Sequence, residues 1–261
     1  TVEESVLEVD PTFNPLSEND EDDFRQFLFQ AQYNRILSEA WTLGVTGYYG
    51  GAGGDFITFG TNFPLQNDHI GSIVNLDYSS GNLLINTGLH AYTFMRINEE
   101  SELTDLNNPF YNEESQKNEV SWFAKAEYEM GRLTAFADIQ IRTAALDISP
   151  DYTAIGIAPE GDITYDWTFF NPKVGLTYEL NDEFSLYTSF GRSGREPTKI
   201  DIFGGFRLDG TNYDNVRNAS FEEEFVNDFE LGARLNKKKL TLDGNFYWMD
   251  FENEIAPNGQ I

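Results

Sequence analysis

The sequence predicts an all-β chain, an antiparallel transmembrane β-barrel of about eleven strands. Three observations carry this reading. Apolar and polar residues alternate with period two along most of the 261 residues, and no stretch calls for a helix. The connections between strand-like runs alternate between tight turns and long polar loops. The polar phase of the strands carries charges that a dry core would reject.

The elements follow in order. A weaker run around Val2 to Val9 opens the chain. Phe27, Phe29, Ala31 and Tyr33 then alternate with Gln26, Gln30, Gln32 and Asn34, and Trp41, Leu43, Val45 and Tyr49 with Thr42, Gly44 and Thr46. The next pair carries Ile70, Val74, Leu76, Tyr78 and Leu83, Ile85, Leu89, Ala91. A third carries Val120, Trp122, Ala124, Ala126, Tyr128 and Leu133, Ala135, Ala137, Ile139, Ile141. A fourth carries Phe170, Val174, Leu176, Tyr178, Leu180 and Phe184, Leu186, Thr188, Phe190. The last carries Phe229, Leu231, Ala233, Leu235 and Leu240, Leu242, Phe246, Trp248.

Tight turns are expected at Leu37–Ala40, Ser79–Asn82, Glu129–Arg132, Asn181–Glu183 and Asn236–Lys239, with Ser80-Gly81 and Met130-Gly131 as two-residue hairpin loops. Long loops are expected at Asp10–Asp22, Gly50–Asn67, Asn98–Gln116, Thr143–Tyr165 and Ser193–Glu222. Short turns at one end and long loops at the other are the pattern of an outer-membrane barrel; a soluble sandwich has no reason to sort its loops this way. Tyr33, Trp41, Tyr78, Tyr128, Tyr178 and Phe184 lie near the tight turns on the apolar phase, where a lipid-headgroup girdle is needed. From Trp41 to Tyr49 a tilted strand covers roughly 20 Å, near the height of the apolar band. The opposite phase holds Lys125, Glu127, Asp138, Arg142, Lys173, Glu179, Asp228, Glu230, Arg234 and Asp243, so it faces a wet or plugged lumen.

Composition narrows the function. Seventeen Lys and Arg against 44 Asp and Glu leave a net charge of −27, which excludes nucleic acid, whose every phosphate contact needs a cation. An aromatic content of 15 % argues against disorder. The absence of Cys removes disulfides, thiolate metal sites and Cys nucleophiles. No apolar run reaches the ~18 residues of a membrane helix, and the strand-like pattern at Thr1 leads to the expectation that these residues include no signal peptide. An odd strand count does not close a bacterial barrel, and an open edge in lipid leaves backbone groups unpaired, so the expectation is a fragment of a larger barrel.

In its second half the chain resembles TonB-dependent outer-membrane receptors. The stretch Ser185–Phe203 (SLYTSFGRSGREPTKIDIF) is similar to the family's aromatic-x-Gly/Arg…Arg-Glu-Pro-Thr…Asp-Leu-Phe pattern, here Arg195, Glu196, Pro197 and Thr198. Phe221–Leu235 is similar to its Tyr-Glu-Leu-Gly strand, with Glu230, Leu231 and Gly232, and Leu240–Ile255 to its Phe-Tyr-x-x-Asp-Tyr-x-Asn-x-Ile. Gly194 stands where the family has Phe, and Glu223 where it has Pro. The resemblance implies a 22-stranded barrel with a lumenal plug, of which residues 1–261 are a part lacking the plug domain and final strands. It implies residence in the outer membrane of a Gram-negative bacterium, no enzymatic activity and no resident cofactor. The implied function is uptake of a scarce ligand, a ferric siderophore or another iron complex, with energy delivered by the TonB complex through the plug region. Alternatives are a non-transporting structural or adhesion barrel and a receptor for cobalamin or oligosaccharide.

Candidate ligand-binding residues are Arg192 and Arg195, which suit bidentate anion pairing or bracing of the wall, and the two histidines, His69 and His90. A Ser80-Gly81 turn sets His69 opposite Tyr92 and His90 opposite Gly71, both inward on one strand pair, a soft site for iron, haem or another metal. Asp209 to Asn215 spaces oxygen ligands as for calcium but lacks the EF-hand pattern. The acidic loops Glu18 to Asp23, Glu99 to Glu102 and Glu222 to Glu224 serve solubility or divalent-cation bridging among lipopolysaccharide headgroups. A membrane hydrolase would need an outward Ser–His pair, and both histidines point to the lumen.

Overall fold

The computed structural model describes residues 21–151, 161–205, 207–208 and 212–256, together with Val9. These residues form one ten-stranded antiparallel sheet in which every strand pairs with its sequence neighbours. The strands are β1 (Glu21–Ile36), β2 (Trp41–Thr58), β3 (Thr61–Ser80), β4 (Leu83–Glu102), β5 (Tyr111–Met130), β6 (Leu133–Pro150), β7 (Ile163–Asn181), β8 (Phe184–Arg195), β9 (Glu224–Lys237) and β10 (Leu240–Glu252). The opening run expected at Val2 to Val9 lies outside the described residues but for Val9, so ten strands stand where eleven were expected.

Alternation assigns the two faces as expected. Tyr33, Trp41, Ile70, Leu89, Trp122, Tyr128, Phe170, Tyr178, Phe229 and Trp248 are exposed on one face, where lipid rather than water is the solvent. Trp41 and Tyr78 face each other across β2 and β3 with ring centroids 4.8 Å apart, part of the girdle beside the short turns. On the other face Lys125 pairs in register with Asp138, and Asp138 with Lys173, so inward charges meet opposite charges across neighbouring strands. Among the described residues no helix is long and apolar enough to cross a membrane; the crossing elements are strands.

Three expectations need correction. The hairpin loops are Gly81-Asn82 and Gly131-Arg132, because Ser80 pairs with Leu83 and Met130 with Leu133. The glycines, at φ 57° and 67°, occupy the first loop position, the one that a type II′ turn reserves for Gly. The predicted loop Gly50–Asn67 is instead a continuation of β2 and β3, which pair as far as Thr58 and Thr61 around a two-residue turn of Phe59 and Gly60. Its Gly-rich composition hid a ladder whose backbone groups satisfy one another with little side-chain help. Helices, unexpected anywhere, occur in the connection from β8 to β9: α1 (Lys199–Phe203) and α2 (Tyr213–Asn218). The first is set by local chemistry: the Thr198 side chain accepts from the Asp201 backbone N–H, while the Asp201 carboxylate accepts from the Thr198 N–H at 2.8 Å. Gly204 closes it in the left-handed conformation at φ 65°.

That connection determines where the apolar core sits. Ile202, Phe203, Leu208, Tyr213 and Val216 pack on Ala144, Ile148, Ile163, Tyr165, Trp167 and Phe169, all on the inward phase of β6 and β7. The β8–β9 connection therefore folds back onto the lumenal wall at the end away from the short turns. Its carbonyls are tied to that wall: Trp167 Nε1 donates to Phe221 O at 2.9 Å, and the Tyr165 hydroxyl donates to Val216 O.

Candidate functional site

Inward alternation places Lys117 and Glu119 on β5 and Arg142 on β6 on one patch of the lumenal wall. Chain reversal after Arg195 delivers Glu196 to it. The Glu196 carboxylate accepts from Arg142 Nη2 at 2.7 Å and pairs with the Lys117 ammonium, while Arg142 Nη1 also donates to Glu119 at 2.9 Å. The Glu196 and Arg142 side chains are only 13 % and 12 % exposed, so these charges act in a reduced dielectric. Burial pushes the Glu196 carboxyl up, but the hydrogen bonds from Arg142 and Lys117 overcome it and hold the group at about 2.

Two more ion pairs fasten the same connection. Lys199 reaches Glu113, whose side chain is fully buried, at 3.0 Å, and Glu113 also accepts from the hydroxyls of Tyr111 and Ser115. Burial pushes the Lys199 ammonium below the usual lysine range against the pull of Glu113, with Arg96 adding to the lowering. Arg207 pairs with Glu100 at 2.8 Å. Between the Glu196–Lys199 segment and the wall lies a cavity of about 260 Å³, with Phe94, Leu146, Trp167 and Pro197 on its apolar side and Arg96, Lys117 and Lys199 on its charged side.

The residues singled out from sequence separate. Arg195 makes a two-pronged pair with Glu224, at 2.7 and 3.2 Å. Arg192 lines a groove with Lys173 and Asp228, and it is taken up by Glu252 at 2.8 Å and Asn227 at 3.0 Å. Both arginines are thus engaged by protein groups. Glu196 was read only as a motif letter, yet it joins the connection to the wall. Pro197 leads into the helix cap at Thr198. Farther along the motif, Glu230 faces the lumen, Leu231 faces lipid, and Gly232 leaves room for the Tyr187 ring, which a Cβ would meet at 2.1 Å. At Gly194 a Cβ would meet the rings of Phe225 and Phe169 at 2.5 and 2.7 Å, so neighbouring aromatics already fill the space where the family carries Phe.

The histidines do point to the lumen, but their register differs from the expected one. With Gly81-Asn82 as the turn, His69 lies opposite Phe94 and His90 opposite Ile73. Tyr48 stands near both, its ring 6.0 Å from His69 and 6.1 Å from His90, and its hydroxyl lies 2.7 Å from His90 Nε2. Among the described residues no group of three or more His, Asp or Glu is gathered for a metal ion. Asp209, Gly210 and Thr211 of the calcium-like stretch lie outside the described residues; Asn212 ties Phe203 O and Arg207 O together, each at 3.0 Å.

Sequence reasoning passed over Lys117, Glu113, Arg96 and Lys199. Strand phase alone was enough to place Lys117 and Arg142 inward. Their partner Glu196 lies 79 positions from Lys117, a distance that no periodicity bridges.

A wider groove of about 640 Å³ runs along the lumenal wall below, between Lys125, Asp138, Gln140, Lys173 and Asp228.

Comparison with known proteins gives the sheet its context. The family model described as "TonB dependent receptor-like, beta-barrel" matches residues 6–261. No curated protein matches the chain. Among solved structures, the copper transporter OprC superposes with a TM-score of 0.74 at 13 % identity, covering 87 % of this chain and 38 % of its own. The ferric-catecholate import receptor Fiu from E. coli K12 in its closed form gives 0.70 at 14 % identity, over 91 % of this chain and 42 % of its own. The ferric citrate transporter FecA in its unliganded form gives 0.66 at 16 % identity, over 91 % and 36 %. At these identities the likeness is one of fold. The chain spans roughly two fifths of each of these three proteins.

Proposed function

The chain belongs to the TonB-dependent receptor β-barrel family, and from that premise we propose that it is part of the wall of a receptor importing a ferric siderophore or another iron complex. The family is one of non-enzymatic transporters that reside in the Gram-negative outer membrane. In this reading the long connections and the upper lumenal wall capture the ligand at the outer face. Transport then draws on TonB through a plug carried elsewhere in the same receptor.

The observation that carries the reading is the inward fold of the β8–β9 connection. An adhesion barrel would present this connection outward; here its apolar residues and three of its charged groups are spent on the lumenal wall, leaving a structured vestibule above a polar lumen. The names of Fiu and FecA give ferric ligands to barrels of this fold, which supports an iron complex.

The test is uptake by whole cells carrying the full-length receptor, with a panel of radiolabelled ferric siderophores, ferric citrate, copper(II), cobalamin and oligosaccharides. Deletion of the receptor should abolish energised uptake of at least one ferric complex. Uptake of every iron complex at the undiminished rate would overturn the assignment, and loss confined to copper(II) would move it to that metal, with His69 and His90 as the first residues to replace.

A further inference from the structure

The cavity beneath Glu196–Lys199 carries a surplus of positive charge. The ionised groups that line it, or are paired to those lining it, are the cations Arg96, Lys117, Lys199 and Arg142 and the carboxylates Glu196, Glu113 and Glu119. Four cations meet three carboxylates, in a chain whose net charge is −27. Lys117 and Arg142 are satisfied by Glu196 and Glu119, and Lys199 by Glu113. The surplus is Arg96. Among the described residues its guanidinium has no carboxylate or hydrogen-bond partner, and it stands exposed at the mouth of the cavity.

The remaining lining fixes what else a ligand must offer. Phe94, Leu146, Trp167 and Pro197 give an apolar side, and about 260 Å³ is just below the ~300–1,000 Å³ of sites for drug-sized ligands. The occupant is therefore a single ring or its equivalent with one anionic group. A planar guanidinium with free N–H groups selects a carboxylate, which it grips through two parallel hydrogen bonds. A cation is excluded because every nearby carboxylate is already engaged.

We infer that this cavity is a binding site for a compact ring-bearing monocarboxylate, with the carboxylate on Arg96 and the ring against Phe94 and its apolar neighbours. Its role as a subsite for one arm of an imported ligand rests on the transport reading; its ability to bind such an anion does not. The assignment gives Arg96, absent from the sequence-level candidates, a ligand-facing part.

The experiment uses the full-length receptor in detergent micelles and 4-fluorobenzoate as probe, followed by ¹⁹F NMR. Saturable binding at about millimolar concentration is expected of so small a ligand. The neutral 4-fluorobenzyl alcohol and the cationic 4-fluorobenzylamine should bind at least about tenfold more weakly, which separates the site from micelle partitioning. Arg96→Gln should weaken 4-fluorobenzoate at least about tenfold, Arg96→Lys less, and Phe94→Ala severalfold, the tenfold step being the ~1.4 kcal/mol expected for a charge-assisted pair. Among the described residues Arg96 has no partner, so the folded-barrel shift on unheated gels should be unchanged in its variants. Absence of saturable binding, or equal binding by Arg96→Gln, would overturn the inference. Uptake assays run beside it keep the two claims apart: import of an iron complex without benzoate binding refutes the subsite alone, and benzoate binding without any iron uptake refutes the import reading alone.

Discussion

The β2–β3 and β8–β9 connections leave the same end of the sheet and meet opposite fates. The first keeps pairing until Thr58 and Thr61 and turns on two residues, its backbone ladder joined by an Asn62–Asp55 hydrogen bond. The second abandons the ladder at Arg195, folds inward and brings its own apolar residues, its own caps and three ion-paired side chains. Both solve one problem, which is that chain beyond the lipid must still satisfy its polar backbone. The Gly-rich segment leaves Phe56 and Phe59 exposed and remains a hairpin. The other carries Ile202, Phe203, Leu208, Tyr213 and Val216 and gains more from burial against β6 and β7 than from further pairing.

Removing that burial should have the largest effect. Phe203→Ala, at a site 4 % exposed, should cost about 3–5 kcal/mol and speed amide exchange through α1 and α2 by at least about a hundredfold, with the β2–β3 hairpin unaffected. Unchanged protection in α1 and α2 would show that the connection is held by something other than its apolar core.

The next effect is electrostatic. Glu196→Gln should loosen the same segment by about 2 kcal/mol, less than the ~3–5 kcal/mol of a fully buried pair because Arg142 keeps Glu119. The sign with pH follows from the depressed carboxyl: its contribution is complete above the ordinary value of 4.5 and is lost as pH falls toward about 2. Exchange between pH 5 and 2.5, corrected for intrinsic rates, should accelerate in the β8–β9 connection and not in the β2–β3 turn. Glu196→Gln should flatten the dependence; a variant that retains it would place the titrating group elsewhere.

Smaller again is the helix cap. Thr198→Ala should weaken α1 by about 1 kcal/mol, visible as faster exchange at Asp201 and Ile202 with the strands unchanged. Smallest is the other side of the comparison. Gly60→Ala introduces no clash, since nothing lies within 4 Å of its Cβ, but at φ 79° it should cost about 1 kcal/mol, confined to the tip of the β2–β3 hairpin. If this change loosened α1 or α2, the two connections would be coupled rather than independent.

Much of this was legible from residues in order. Every inward charge named from Lys125 to Asp243 shares one face of the sheet, because a strand has period two and one correct phase fixes the whole strand. Register was less legible. Moving the turn from Ser80-Gly81 to Gly81-Asn82 shifts every partner by two, which keeps the phase and changes the neighbour, so His69 meets Phe94 and not Tyr92. Loops were least legible, since polar composition reads alike in the extended β2–β3 hairpin and the folded β8–β9 connection.

The sequence by itself therefore determined the β class, the lipid-facing and lumenal phases, the girdle and the end that carries the long connections, since each rests on local spacing. Only the tertiary structure decided that the motif Arg195-Glu196-Pro197-Thr198 splits its charges between Glu224 on one side and Lys117 with Arg142 on the other. It also decided that Arg96 is left over at the mouth of a cavity. The reason is physical: charge pairing at 3 Å depends on how a connection folds back across strands far away in the chain, and no periodicity in the sequence encodes that return path.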